Sequence, residues 1–490
     1  PAVDWRILNH WDNWHPTPKF GTVERGYAGE TLWKWHDLPD RIDARYRHYA
    51  RACASVGLNG AVINNVNAQP DFIHSDNLPK VAALADLLRA YGMTVFLAVR
   101  YDSPMVLGGL ATADPEDTEV IEWWRTKVEE IYRHIPDFGG FQVKGDSEGQ
   151  PGPLRYGRDH ATGANTLARL LKPHGGAVIW RTFVYQIDGL SEDRLKQAYE
   201  VFRPLDGRFD DNVILQCKNG PLDFQVREPV SPLFGALPRT RMALEVQLAQ
   251  EYTGTNVALC WLIPRWREVL DFDTMAKGEG STVAKLVDGR LFGHRPTMMA
   301  GIANTGDEPN WTGHDLAQSN WYGFGRLAWD LAADPAAIAR EWTALTFGSD
   351  PKVVDTVSDL LLKSWGVFEK YTSPLGLGLM VERGARRMMP TPEEREDYHH
   401  TDATGTGYDR SRRGSGYVDQ YAPPVADLLD DPATCPESLL LYFHHLPFTH
   451  RLKNGDTLIQ AIYRAYSEGV RDVEGMVEAW QSLEGRIDPA

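Results

Sequence analysis

The stretch Lys144-Gly145-Asp146-Ser147-Glu148-Gly149-Gln150-Pro151-Gly152-Pro153 sets a cation and two carboxylates close together, directly after the apolar run Gly139 to Val143. Glycine and proline then keep the chain out of regular structure until past Pro153. Carboxylates at the C-terminal end of a strand, followed by such a loop, belong to the catalytic rim when the strand is part of a parallel barrel. A carboxyl group that donates a proton and a second carboxylate that activates water are what glycoside hydrolysis requires. Taken alone, the stretch reads equally well as a polar turn.

Other chemistry-bearing residues sit at comparable places: Asn9, His10, Trp11 and Asp12; Asn64 and Asn65; Arg100 and Asp102; Arg181; Lys218, Asn219 and Asp223; Glu245 and Glu251. Each group ends or follows a β-rich run, so closure of those runs into a barrel would bring them to one mouth. Carboxylates then meet from several strands, together with the cations Lys144, Arg181 and Lys218. Three cations converging in a chain of net charge −16 suggest a bound carboxylate or phosphate. The plainer reading is that each cation pairs with Asp146, Asp223 or Glu251. A metal-dependent barrel hydrolase would need alternate histidines on the first strand, and here Asn9-His10-Trp11 supplies one, while cations occupy later ligand positions. The adjacent pairs His399-His400 and His444-His445 are poorly spaced to chelate one ion and suit surface or capping roles.

The elements that must position these residues are legible as alternation. The β-rich runs are Arg6 to His10, Gly60 to Asn65, Thr94 to Arg100, Gly140 to Lys144, Ala177 to Phe183, Asn212 to Cys217, Met242 to Val246 and Met299 to Ile302. Between and after them, apolar residues fall at helical spacing in Leu38 to Val56, Pro79 to Tyr91, Glu116 to His134, Ala164 to Leu171, Ser191 to Phe202 and Asp315 to Leu331. Strand and helix in alternation predict the α/β class with a parallel sheet, and eight repeats predict a closed (β/α)₈ TIM barrel. Val257 to Ile263 also reads as a strand, so either it or Met242 to Val246 is the seventh. After about Leu331 the β-runs stop, and helices are expected at Ala336 to Phe347, Lys352 to Tyr371, Glu437 to His445 and Asp456 to Leu483. This divides the chain into a barrel over 1–331 and an α-helical domain over 332–490. Met380 to Val425 lacks periodicity, and is expected either to pack back over the barrel mouth or to form a mobile surface loop.

Composition narrows the field. A chain of 490 residues, 42% hydrophobic and 24% charged, can bury a large core. Its acidity argues against nucleic acid or an anionic membrane as partner. No run approaches the roughly 20 apolar residues of a membrane span. Cys53, Cys217, Cys260 and Cys435 are scattered, with no CxxC pair, which fits a reducing, cytoplasmic setting. The chain begins at Pro1 without an initiator Met, a start that looks processed, so a secreted origin is the alternative. Sixteen Trp and nineteen Tyr suit sugar surfaces as well as ordinary cores.

Several of these stretches are similar to a known family, the α-glucuronidases of glycoside hydrolase family 67. The likeness rests on Leu8 to Asn13, Thr22 to Gly29, Lys144 to Pro153, Lys218 to Pro229, Gln250-Glu251-Tyr252, Asn320-Trp321-Tyr322, Asp402 to Gly405 and His444 to Lys453. It implies an inverting hydrolase that removes 4-O-methyl-D-glucuronic acid from the terminal xylose of glucuronoxylan oligosaccharides (aldouronic acids), with no metal or cofactor. By the same resemblance Glu148, in Ser-Glu-Gly-Gln-Pro, is the general acid, and the base is Asp223 or Glu251. Lys144, Arg181, Lys218 and Trp11 are implied as uronate and sugar contacts, and the helical C-terminal domain as a homodimer interface. Two departures stand out. The family's usual N-terminal β-sandwich is missing before Pro1, and Trp14 to Phe20 looks like an insertion beside the site. A non-catalytic acidic-sugar-binding protein on the same fold is the rival reading, and three carboxylates at the mouth weigh against it.

Overall fold

Each of the eight β-rich runs forms a strand in the computed structural model, which describes residues 1–17, 21–23, 28–184, 190–255, 258–378 and 399–487. The strands are β1 Trp5–His10, β2 Gly60–Val62, β3 Thr94–Ala98, β4 Gly140–Val143, β5 Ala177–Arg181, β6 Val213–Lys218, β7 Met242–Gln247 and β8 Met298–Ala303. They pair in parallel in chain order, and β8 closes on β1 with Met298 opposite Trp5 and Ala303 opposite His10.

Because side chains alternate along a strand, every second residue fills the barrel interior. Ile7, Val62, Phe96, Ile179, Ile214, Ala243 and Met298 form an apolar plug, while Leu8, Ala61, Val95, Phe141 and Leu244 turn outward to the helices. Two residues further toward the C-terminal ends, the interior becomes polar. Asn9 Oδ1 accepts from Gln142 Nε2 and Gln216 Nε2, both at 2.7 Å. Glu245 Oε2 accepts from Gln216 Nε2 at 2.5 Å and from Arg181 Nε at 2.8 Å. This polar layer is the floor of the mouth.

Around the barrel lie α1 Ala44–Ser55, α2 Leu78–Arg89, α3 Thr118–His134, α4 His160–Leu171, α5 Arg194–Phe202, α6 Ile263–Asp271 and α7 Gln318–Trp329. Several begin at aspartate caps: Asp43, Asp117, Asp159 and Asp193 accept from backbone N–H groups of the first turns of α1, α3, α4 and α5. Each such cap stabilises by about 1 kcal/mol. On α3 the buried face is Val120, Trp124, Val128 and Ile131, at helical spacing.

The seventh strand is Met242–Gln247, bonded to β6 and β8. Ala258 to Leu262 is not a strand, and Val257 lies outside the described residues. Its backbone donors are taken elsewhere: Trp261 N donates to Ser364 Oγ at 2.8 Å and Leu262 N to Asn320 Oδ1 at 2.9 Å.

Beyond the barrel come α8 Pro335–Phe347, α9 Pro351–Thr372 and α10 Leu458–Gln481. Ile338, Trp342, Val357, Leu361 and Trp365 join the same apolar core as the outer face of the barrel. Two expectations here need correction. Glu437 to His445 is not one helix: a 3₁₀ turn and one α-turn end at Phe443, and His445–Leu446 becomes a strand. It pairs with Thr406–Gly407, which pairs with His400–Thr401, so a small antiparallel sheet stands where β-structure was expected to stop. Strands of two residues have no period to read.

The described part of the Met380 to Val425 segment, from His399 on, folds onto the barrel; its first part, to Tyr398, lies outside the described residues. Arg410 pairs with Asp193 at 3.2 Å with both side chains buried. Lys196 Nζ donates to Ser415 O at 2.8 Å, and Tyr421 Oη to Val230 O at 2.7 Å. A second apolar cluster accordingly mixes Phe183 and Leu222 of the barrel loops and Leu195 of α5 with Tyr417, Tyr421 and Phe443. Asp12–Thr17 pairs with Gly21–Val23 as an antiparallel ribbon beside the mouth; Pro18 to Phe20 and Glu24 to Tyr27, from the insertion and one of the resembling stretches, lie outside the described residues. Among the described residues no helix is long and apolar enough to cross a membrane.

Candidate active site

The interior positions above the polar layer hold Trp11 after β1, Lys144 after β4, Phe183 after β5 and Lys218 at the end of β6. Around them the cations are matched one to one with carboxylates. Lys144 Nζ contacts Glu148 Oε2 and donates to Asn67 Oδ1 at 2.9 Å. Lys218 Nζ meets Asp223 Oδ1 at 2.5 Å. Arg181 holds Glu245 through two parallel contacts, one of them Nε to Oε2 at 2.8 Å. Asp223 Oδ2 accepts from Tyr252 Oη at 2.8 Å, and Glu251, next to that tyrosine, accepts from Gln247 Nε2 at 3.0 Å. The Phe183 ring lies in the middle, its centroid 3.0 Å from Lys218 Nζ, 5.3 Å from Lys144 Nζ and 5.5 Å from Arg181 Cζ. Trp11 packs with Phe224 and Ile302. Glu148, Asp223, Glu251, Lys144, Arg181, Lys218 and Trp11 are therefore all brought to one place.

The cations are counter-charges, as the plainer reading of the sequence held, but two of the three partners differ. Arg181 takes Glu245, a strand-end carboxylate with no role assigned to it, and Lys144 takes Glu148. Asp146 pairs with none of the three. Its Oδ2 accepts from Leu154 N at 3.0 Å and lies 3.9 Å from His160 Nε2, and burial pushes its carboxyl up to about 6. A Cβ on Gly152 would fall 2.2 Å from that same oxygen, which is why glycine stands there. Asp146 and Glu148 themselves have φ of 52° and 49°, a left-handed backbone that side chains rarely adopt. The loop is thus folded tightly enough to aim Glu148 back at the mouth.

Other strand-end residues do not join. His10 faces outward, its Nε2 2.5 Å from Tyr49 Oη. Asp12 is buried against Trp35 Nε1 at 3.0 Å and Thr31 Oγ1. Arg100 and Asp102 pair with each other. Asn64 bonds the backbone of Ala98, and Asn65 bonds Asn13. His444 Nε2 bonds Leu429 O, and His445 faces Asp402.

The charge pattern acts on Glu148, whose side chain is 45% exposed at the edge of the mouth. Desolvation raises its pKa and so does Asp223, but Lys144, with Lys218 behind it, outweighs both, and the carboxyl ends below its ordinary 4.5. The carboxyl is lowered because its charged neighbour is Lys144 and not Asp146. Burial likewise lowers Lys218 despite Asp223, whereas Glu245 more than offsets desolvation at Arg181 and raises it.

Sequence reasoning missed Phe183, Tyr252 and the partner role of Glu245. Glu245 was visible: it lies two residues beyond Ala243 on the same strand, in the same interior alternation as Arg181. Among the described residues no group of three His, Cys, Asp or Glu side chains is placed to hold a metal ion.

Two family models cover the chain: residues 1–311 match the glycosyl hydrolase family 67 middle domain and residues 312–490 the glycosyl hydrolase family 67 C-terminus. The chain is 42% identical over 500 residues to Alpha-glucuronidase A of Emericella nidulans, covering 100% of the chain and 59% of that protein. It is also 42% identical to the Alpha-glucuronidase of Hypocrea jecorina, with the same coverage. Probable alpha-glucuronidase A of Aspergillus flavus is 41% identical, over 99% of the chain and 58% of the relative. The chain thus spans a little under three fifths of the length of these relatives.

Proposed function

The chain belongs to glycosyl hydrolase family 67, and we propose that it is an α-glucuronidase, releasing D-glucuronic acid or its 4-O-methyl ether from the α-1,2 linkage to the terminal xylose of glucuronoxylan oligosaccharides. The observation that carries this reading is the interleaving of charges at the mouth: carboxylates suited to acid and base work lie in contact with buried cations suited to a sugar carboxylate. Besides balancing these carboxylates, cations at the mouth suit a sugar that carries a carboxylate of its own.

In this reading Glu148 gives its proton to the xylose oxygen as the glycosidic C–O bond breaks. Asp223 or Glu251 takes a proton from the water that attacks the anomeric carbon from the opposite face, so the product first appears as the β-anomer. Lys144 and Lys218 attract the uronate, Arg181 adds positive potential from the floor, and Trp11 bounds the sugar. Lys144 is shared between Glu148 and the incoming carboxylate, and its transfer to the substrate removes the larger of the two cations that lower Glu148, so that burial and Asp223 favour the protonated, competent acid against Lys218.

A homodimer is the proposed assembly. On α10, Tyr463, Val470, Val473 and Val477 fall at helical spacing and are exposed, 70% for Tyr463, an apolar stripe suited to a second copy.

Aldouronic acids followed by proton NMR test the function. Free uronic acid should appear, β-anomer first; the α-anomer first would overturn inversion, and no uronic acid would overturn the activity. Glu148→Ala should cost about 10² to 10⁴ in rate on a xylo-oligosaccharide leaving group and much less on an acidic one.

A further inference from the structure

The loop from Lys218 to Pro229 carries Asp223, yet few of its residues lie in regular structure. What holds it is a carboxylate outside the mouth. Glu228 is fully buried, and its Oε2 accepts from Leu222 N at 2.9 Å while its Oε1 accepts from Asp223 N at 3.1 Å and from Gln225 N. Three backbone donors within the four residues 222–225, turned to one anion, form a nest of the kind that elsewhere binds phosphate. The turn that makes it requires Phe224 at φ 57°, a conformation costly for a bulky residue unless its surroundings enforce it. Gly220 leaves room: a Cβ there would come 2.2 Å from Glu228 Oε2. From behind, Arg265, itself buried, donates to the backbone carbonyl of Glu228.

We propose that Glu228 is the positioning residue of the Asp223 loop, its carboxylate serving as the internal anion of a backbone nest that fixes where the Asp223 side chain stands between Lys218 and Tyr252. The inference rests on the reading of Asp223 as part of the base machinery. One of the three donors is the amide of Asp223 itself, so a shift of Glu228 moves the catalytic backbone directly. A neutral side chain of the same size cannot serve as well. Glutamine has one acceptor oxygen, and its amide N–H would face backbone donors. Burial raises the pKa of Glu228, and Asp223 raises it further, as expected of neighbouring negative charges. The three N–H donors oppose both effects.

The test is a double-mutant cycle on aldouronic acid turnover with Glu228→Gln, Asp223→Asn and the double variant, alongside thermal unfolding. Glu228→Gln should lower kcat ~10- to 100-fold with KM little changed, the usual result of misplacing a catalytic group by a fraction of an ångström to an ångström. In the Asp223→Asn background it should add almost nothing, because its effect passes through Asp223. The acid limb of the kcat profile should move to lower pH, since the base loses a negative neighbour. Gly220→Ala, which crowds the same carboxylate without changing any charge, should reproduce the fall in kcat even if Glu228→Gln folds poorly. Losses that multiply independently in the double variant, or a Gly220→Ala enzyme with normal kcat, would overturn the positioning role alone. Normal turnover by Asp223→Asn would overturn the base assignment and the inference with it.

Discussion

The pairing of Lys144 with Glu148 predicts that binding of the substrate makes the acid take up its proton from solvent. In the empty mouth Glu148 is held below its ordinary 4.5, so at pH 6 it rests as the carboxylate, without the proton that acid catalysis needs. Glu148 is faced by Lys144 from β4, by Lys218 and Asp223 from β6 and its loop, and by Arg181 from β5, which senses both carboxylates. A uronate that draws Lys144 away removes the largest charge holding the proton off. Burial and Asp223 then favour the neutral acid against the weaker pull of Lys218. Binding of glucuronic acid at pH 6 is therefore expected to take up protons from the buffer, at most one per site. Isothermal calorimetry in buffers of different ionisation enthalpy reads that number as a slope. Lys144→Met should lower affinity by roughly one to two powers of ten, the worth of one charge-assisted contact, and should shrink the uptake, because Glu148 is already released. Tight binding by the wild type with no dependence on buffer would mean that Lys144 never leaves Glu148, and the handover would be wrong.

Arg181→Met alone would strand Glu245, which has no solvent exposure, at a cost of about 3 to 5 kcal/mol. Melting curves should show Arg181→Met/Glu245→Gln recovering much of that loss, and the double variant then tests recognition: an unchanged preference for the uronate over the matching α-glucoside would leave Arg181 as a counter-charge only. Burial holds His10, His160 and His314 neutral, down to about 3, 4 and 4. Their folded pKa values lie below the unfolded value near 6.5, so unfolding takes up protons between pH 6.5 and about 4, and stability should fall through that window by up to ~1.4 kcal/mol per pH unit for each. Asp146, raised to about 6, acts in the opposite sense below that pH. His160→Gln should flatten the decline in Tm, and a Tm constant from pH 6.5 to 4.5 would refute the account. Val473→Glu with Val477→Glu should convert a dimer to a monomer in light scattering; an unchanged mass would place any interface elsewhere.

The barrel was legible because its signal is repeated. Eight apolar runs separated by helical periods leave little freedom, and a missed end, such as Gly60 to Asn65 shortening to Gly60–Val62, changes no topology. Strand ends placed Lys144, Glu148, Arg181, Lys218, Asp223 and Glu251 at one mouth together with residues that do not join, such as Asp12, Arg100 and Asp102, and the resemblance singled out Glu148, Asp223 and Glu251. Pairing within that set did not, because which carboxylate a cation takes depends on loop backbone, on Asp146 and Glu148 in left-handed conformation and on the nest around Glu228. The two-residue strands near His400 and His445 escaped for a different reason: their pairing is non-local, and two residues carry no alternation. Val257 to Ile263 misled because an apolar run reads as a strand whether its donors meet another strand or the side chains of Ser364 and Asn320.

The polar floor of the barrel has a consequence for how the chain can fold at all. A slip of one residue in β4, β6 or β7 would turn Gln142, Gln216 or Glu245 out into the apolar seam beneath the helices and bring Phe141, Leu215 or Leu244 into the network. Each such misalignment strands buried polar groups without partners, at roughly 1 to 3 kcal/mol apiece and more for a charge. The same side chains that underlie the cations thus penalise every misaligned closure, and a barrel that shuts correctly has already assembled its electrostatics. The proposed specificity for a charged sugar and the fidelity of chain folding would then rest on the same handful of amides and one carboxylate.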